Sequence, residues 1–171
     1  MNKNGIWWVI IISVVGVLYI LANGLRGVEV PEIGEVAYDF KLYSTDDEIY
    51  RLSDFKGQYV VLNFFATWCF PCQDEEPELE KFHQKYGEEY PLLIIDRSEP
   101  KNRILEFKEE YDSTTTYLMD KDDKVSQYYG VRGQPETFII TPEGILLEKI
   151  IGPTTSEDLA SKIYLATLNN K

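Results

Sequence analysis

The chain has only two cysteines among its 171 residues. Cys69 and Cys72 stand three apart in the run VVLNFFATWCFPCQDEEP, residues 60–77. At a helix start this spacing puts both sulfurs on one edge, within reach of a disulfide. One thiol can then attack a client disulfide and the other can resolve the product, so thiol–disulfide exchange is the leading chemistry. Metal ligation is the other chemistry open to a cysteine pair. Zinc takes four ligands, and the single histidine, His83, adds at most one nitrogen, so a protein-only site would have to draw on carboxylates.

The cysteines must be held by the elements on either side of them. Residues 60–65 are apolar on both faces except at Asn63, as in a central strand covered by helices on both sides. A helix is expected from Cys72 to about Tyr86, with Leu79, Phe82, His83 and Tyr86 on one stripe. Pro77 lies inside it and removes one backbone donor, which predicts a kink. Residues 91–95 read as a second buried strand and 102–111 as an amphipathic helix. The right-handed crossover rule makes the two strands parallel. A short strand at 117–119, a short helix at 124–129 and a loop holding Pro135 follow. Residues 137–140 and 145–151 flank TPEG and predict an antiparallel hairpin. A closing helix over 155–168 takes Ser156 as N-cap, with Glu157 and Asp158 in its first turn. Ahead of the motif, 37–42 and 48–52 predict a hairpin around the polar turn at 44–47, and LSDFKG at 52–57 a single helical turn.

Residues 5–25 carry no charge and are almost all Ile, Val, Leu, Trp and Tyr. At about 1.5 Å per residue they span roughly 30 Å, one bilayer core. The run is longer than an export-signal core of about 7–15 residues, which favours a retained anchor over a cleaved signal. Lys3 precedes it and Arg26 follows, a small bias toward a cytoplasmic N-terminus and an exported domain. The expected organisation is an anchor over 1–27, a linker over 28–34 and one globular domain over 35–171. The formal net charge is −12 without a basic stripe, which argues against nucleic acid as a partner.

Trp68-Cys-Phe-Pro-Cys72 after a buried strand, Pro77 in the next helix and Gly133-Gln-Pro-Glu-Thr-Phe138 late in the chain resemble the thioredoxin superfamily. The anchor, the early hairpin and the LSDFKG turn narrow the resemblance to its membrane-tethered TlpA/ResA-like branch. It covers roughly residues 33–168. It implies an α/β thioredoxin-like fold: a central mixed β-sheet flanked by helices, with an N-terminal β-hairpin extension and a transmembrane helix. It also implies that Phe70 and Pro71 set redox poise and that Trp68 is a lid beside Cys69, against the plainer reading of Trp68 as a core aromatic. Pro135 would be cis and face the cysteines, with Gln134 offering its backbone to an extended client strand.

The residues themselves assign the roles of the two thiols. Cys69 at the helix N-terminus is the expected exposed nucleophile, its thiolate favoured by free N–H groups, and Cys72 one turn inside is the shielded resolving thiol. Many thioredoxins carry a buried acid six residues before the first cysteine, and here that residue is Asn63, which cannot titrate. Glu75, Glu76, Asp96 and Glu136 are the candidate proton carriers, while solvated surface charge is the plainer reading of Glu75 and Glu76. His83 reads as a helix residue on the packed face. The expected activity is a thiol-disulfide oxidoreductase at the cell membrane with its domain outside, reducing protein disulfides through Cys69 and Cys72, with no cofactor and no metal. The resemblance suggests clients such as apocytochrome c or spore-envelope proteins, and a membrane thiol donor of electrons. A peroxiredoxin-type thiol peroxidase and a copper or zinc chaperone are the alternatives. Peroxiredoxins place a Thr three before their cysteine, whereas Thr67 is two before Cys69.

Overall fold

The computed structural model describes residues 3–24 and 30–169. Helix α1, Lys3–Gly24, comes first. Its large apolar side chains from Trp7 to Leu21 stand exposed, with no core over them. Among the described residues no helix is long and apolar enough to cross a membrane. The expected linker before Val30, together with Arg26, lies outside the described residues.

The domain is built on seven strands, β1 (Lys41–Ser44), β2 (Ile49–Arg51), β3 (Val60–Phe65), β4 (Leu92–Arg97), β5 (Thr116–Asp120), β6 (Glu136–Ile140) and β7 (Leu146–Ile151). They form one mixed sheet in the order β2-β1-β5-β4-β3-β6-β7. β3 lies parallel to β4 and β4 to β5, as right-handed crossovers through α2 (Phe70–Tyr86) and α3 (Lys101–Glu110) require. β6 runs antiparallel to β3, and β7 to β6. Helices α4 (Lys124–Tyr128) and α5 (Ser156–Asn169) complete the layers.

Alternation along β3 sorts its side chains into two cores. Val61 and Phe65 join Leu79 and Phe82 of α2, Ile104 and Phe107 of α3, and Leu159 and Ile163 of α5. Val60, Leu62 and Phe64 join Val125 of α4, Tyr129 and Phe138 on the other face. Each fully buried Leu or Phe here contributes about 1.5–3 kcal/mol of transfer free energy. Asn63 is therefore the polar residue of the α2 face, beneath the helix that carries the cysteines.

Several local expectations change. The first strand is Lys41–Ser44 rather than 37–42. Ala37 and Phe40 are buried by packing, but their segment bonds across to the β6–β7 turn, where the Ala37 N–H donates to the Gly144 carbonyl at 2.9 Å. Gly34 likewise donates to Leu146, so the end of the expected linker is stitched to the domain. The cap of α5 is Thr155, whose Oγ1 accepts from the Asp158 N–H at 3.2 Å, because Ser156 is already the first helical residue. The LSDF turn is 3-10, and Gly57 behind it sits at φ +94°, a conformation that favours glycine.

Candidate active site

β3 ends at Phe65, and the next four residues bring the chain to the start of α2. Cys69 is the N-cap of that helix, and its Sγ lies 3.3 Å from the Cys72 N–H that it caps. Pro71 occupies the first turn, where its missing donor costs nothing. Cys69 and Cys72 are joined as a disulfide. Both are covered, Cys69 to 5% and Cys72 to 2% exposure. The nucleophile expected to be exposed is thus nearly as shielded as its partner, because the cis-proline loop closes over it.

That loop supplies the second wall. The Gln134–Pro135 peptide bond is cis, and the Gln134 carbonyl oxygen lies 3.5 Å from Cys69 Sγ. The loop is pinned at both ends. Glu136 Oε1 accepts the backbone N–H groups of Arg132 and Gly133, and its Oε2 is 2.7 Å from Lys149 Nζ. On the other side Arg97 Nη1 donates to Gln134 Oε1 at 3.0 Å, while Nε and Nη2 grip Asp123. Glu136, a candidate proton carrier in the sequence, is here the loop's hydrogen-bond hub.

Trp68 and Phe70 flank Cys69 and are 69% and 76% exposed. A core role for Trp68 is excluded by that exposure. Its backbone is presented outward by Thr67, which donates N–H and Oγ1 to Glu99 and accepts from Gln73 Nε2. Nothing in the sequence marked Glu99, which acts from 32 residues away.

The buried acids are the largest departure from expectation. Glu75 and Glu76, expected at the surface, are buried, since positions three and four after Cys72 turn inward with it on α2. Glu75 Oε2 accepts from Asn63 Nδ2 at 3.1 Å and Oε1 from the Thr154 N–H at 2.7 Å. Burial raises its carboxyl to about 7, although those two hydrogen bonds oppose the rise. Asn63 also donates to Thr137 Oγ1, so the non-titrating Asn63 holds an acid rather than replacing one. Burial raises Glu76 as well, against hydrogen bonds from Ser113 and Tyr117. Asp96 is buried near the end of β4 and is pushed well up by burial; the Glu99 N–H, donating to it at 2.8 Å, opposes the rise and the Glu99 carboxyl adds to it. His83 is half-buried on α2, and among the described residues no group of His, Cys, Asp and Glu is arranged to hold a metal ion.

This geometry has relatives. The chain is 38% identical over 130 residues to the thiol-disulfide oxidoreductase ResA of Geobacillus thermodenitrificans, covering 74% of each. It is 31% identical over 135 residues to the thioredoxin-like protein YneN of Bacillus subtilis, covering 77% of this chain and 79% of that protein. The crystal structure of a thiol:disulfide interchange protein DsbE from Chlorobium tepidum superposes with a TM-score of 0.73 at 27% identity, over 80% of this chain and 98% of that one. Residues 33–149 match the AhpC/TSA family. With a cysteine pair capping a helix against a cis-proline loop on a thioredoxin-like sheet, the chain belongs to the AhpC/TSA family and is a thiol-disulfide oxidoreductase.

Proposed function

We propose that the protein is a membrane-tethered reductant of protein disulfides on the extracytoplasmic side. The observation that carries the direction is the pair of buried carboxyls, Glu75 and Glu76, three and four residues after Cys72 on the same helix. A strong oxidant of this fold owes its potential to a stabilised reduced form. Once ionised, a carboxylate one helical turn from Cys72 disfavours a thiolate, leaves the dithiol unstabilised and makes it a better electron donor. Glu75 then serves as proton carrier for Cys72: it holds a proton near neutrality and can give it up or take it back as the disulfide opens and closes. The dithiol works without a cofactor or metal.

The uncharged run at 5–25 supports the tether, with α1 carrying the domain beside the membrane. Clients would be exported proteins whose cysteines must be kept reduced, apocytochrome c among them, and a membrane thiol protein would resupply electrons. The deciding experiment is the midpoint potential of the Cys69/Cys72 couple. A value near about −270 mV supports a reductant, and one near about −120 mV overturns the reading. Extraction of cell membranes at alkaline pH should leave the protein in the pellet; release into the supernatant removes the tether. Peroxide turnover is expected to be absent, since Thr67 is committed to Glu99 and stands one residue too close to the cysteine for the peroxidatic arrangement.

A further inference from the structure

The sequence singled out neither Arg97 nor Asp123, yet both reach the reacting sulfur through one intermediate. Arg97 ends β4 and is half-buried. Its Nε and Nη2 meet the two carboxylate oxygens of Asp123 at 2.9 and 3.0 Å, a two-pronged grip that fixes the plane of the guanidinium. Asp123 is itself fixed at the start of α4, with φ at +54°. The remaining arm, Nη1, donates to the side-chain oxygen of Gln134 at 3.0 Å. The backbone carbonyl of the same Gln134 lies 3.5 Å from Cys69 Sγ.

We propose that Arg97 is a positioning residue for Cys69, acting through Gln134. Locked by Asp123, it holds the Gln134 side chain so that the carbonyl of the cis-proline loop stays aimed at the sulfur. The carbonyl accepts a hydrogen bond from the Cys69 thiol and offers nothing to the thiolate, so the contact favours the neutral form in the reduced protein. Lysine cannot replace arginine here, because one ammonium group lacks the planar fork that serves Asp123 and Gln134 together.

Other charged groups lie on the elements that carry or flank the cysteine helix and the cis-proline loop. They are Glu75 on α2, Asp96 at the end of β4 with Glu99 just beyond it, Asp120 on β5, Glu136 on β6 and Lys149 on β7. None of them donates to the Gln134 side chain. The proposal extends the reading of Gln134 as a client platform, since a fixed loop would also present a fixed edge to an extended client strand.

The test uses the full-length reduced protein and follows the rate of Cys69 alkylation by iodoacetamide against pH. Arg97→Lys and Gln134→Ala should each move the alkylation midpoint to lower pH by about half a unit or more, because each frees the carbonyl to turn away. Both act on one contact, so the double variant should shift no further than either single one. Additive shifts, or an unmoved midpoint in Arg97→Lys, would overturn the assignment. Gln134→Ala leaves the Arg97–Asp123 pair intact and so guards against a folding defect in the arginine variant. Reduction of a disulfide-bonded peptide, measured alongside, separates the two ideas. Slow peptide turnover in Gln134→Ala with an unmoved midpoint leaves the client platform standing and sinks the role of Arg97.

Discussion

Glu75 and Asn63 form a buried polar pair between α2 and β3. An acid at position 63 would rise from the strand floor, where β3 alternation aims it at α2. With Asn63 there instead, the carboxyl comes from the helix side, and the amide becomes its donor at 3.1 Å. Glu75, the proposed proton carrier, thus reaches this polar position from the opposite wall. Because burial sets Glu75 at about 7, the pH profile of disulfide reduction should carry an inflection there. Glu75→Gln should remove it, with the rate above pH 7 falling by about a hundredfold, the low end of what a positioned acid or base contributes. Gln fits the site if the Asn63 amide turns over, because Asn63 Oδ1 has no partner at present. An inflection that survives the substitution would transfer the role to Glu76 or Asp96.

At the scale of elements, what was legible in the sequence was whatever depends on near neighbours. The strand at 60–65, the cysteine-capped helix, the parallel crossover and the β6–β7 hairpin all follow from local periodicity and turn chemistry. The burial of acids does not, because their partners are remote in sequence. Glu75 meets Thr154 from 79 residues away, and Arg97 meets Gln134 from 37 away. A helix reading QDEEPELEK gives no local sign that three of its four glutamates face inward. Glu80 is the clearest case. It gathers the Ser113 and Thr115 hydroxyls and both the N–H and the Oγ1 of Thr114, tying the α3–β5 connection to α2. Burial alone would raise its carboxyl, but the hydrogen bonds from Thr114, Gln84 and Thr115 outweigh it and hold Glu80 at about 2. Glu80→Ala strands those donors, and a loss of about 2–4 kcal/mol is expected in urea unfolding at pH 7. A loss below 0.5 kcal/mol, roughly the scatter of surface substitutions, would show that the connection is held by packing alone.

Over the whole molecule the buried carboxyls pull stability in two directions with pH. Glu75 has a folded value of about 7 against an ordinary 4.5, so the unfolded chain gives up this proton first. Its contribution is therefore complete below about pH 4.5 and is lost as pH rises toward 7, by at most about 3 kcal/mol. Asp96, also raised, acts in the same sense. Glu80 and Asp123 are lowered, so they stabilise the fold above their ordinary values and lose that contribution as pH falls. The net charge of −12 adds self-repulsion at neutrality that fades toward the isoelectric point near 4.5. These terms place the stability maximum near about pH 5, on the acid side of neutrality. Urea midpoints of the full chain measured from pH 3 to 8 should rise and then fall. Glu75→Gln should flatten the falling limb, becoming more stable than the parent above pH 7 and converging with it near pH 4.5. Midpoints that climb steadily to pH 8, or a Glu75→Gln difference that is the same at pH 5 and pH 8, would show that Glu75 does not change its proton affinity on folding. The proton-carrier role proposed for Glu75 would then lose the raised proton affinity on which it rests.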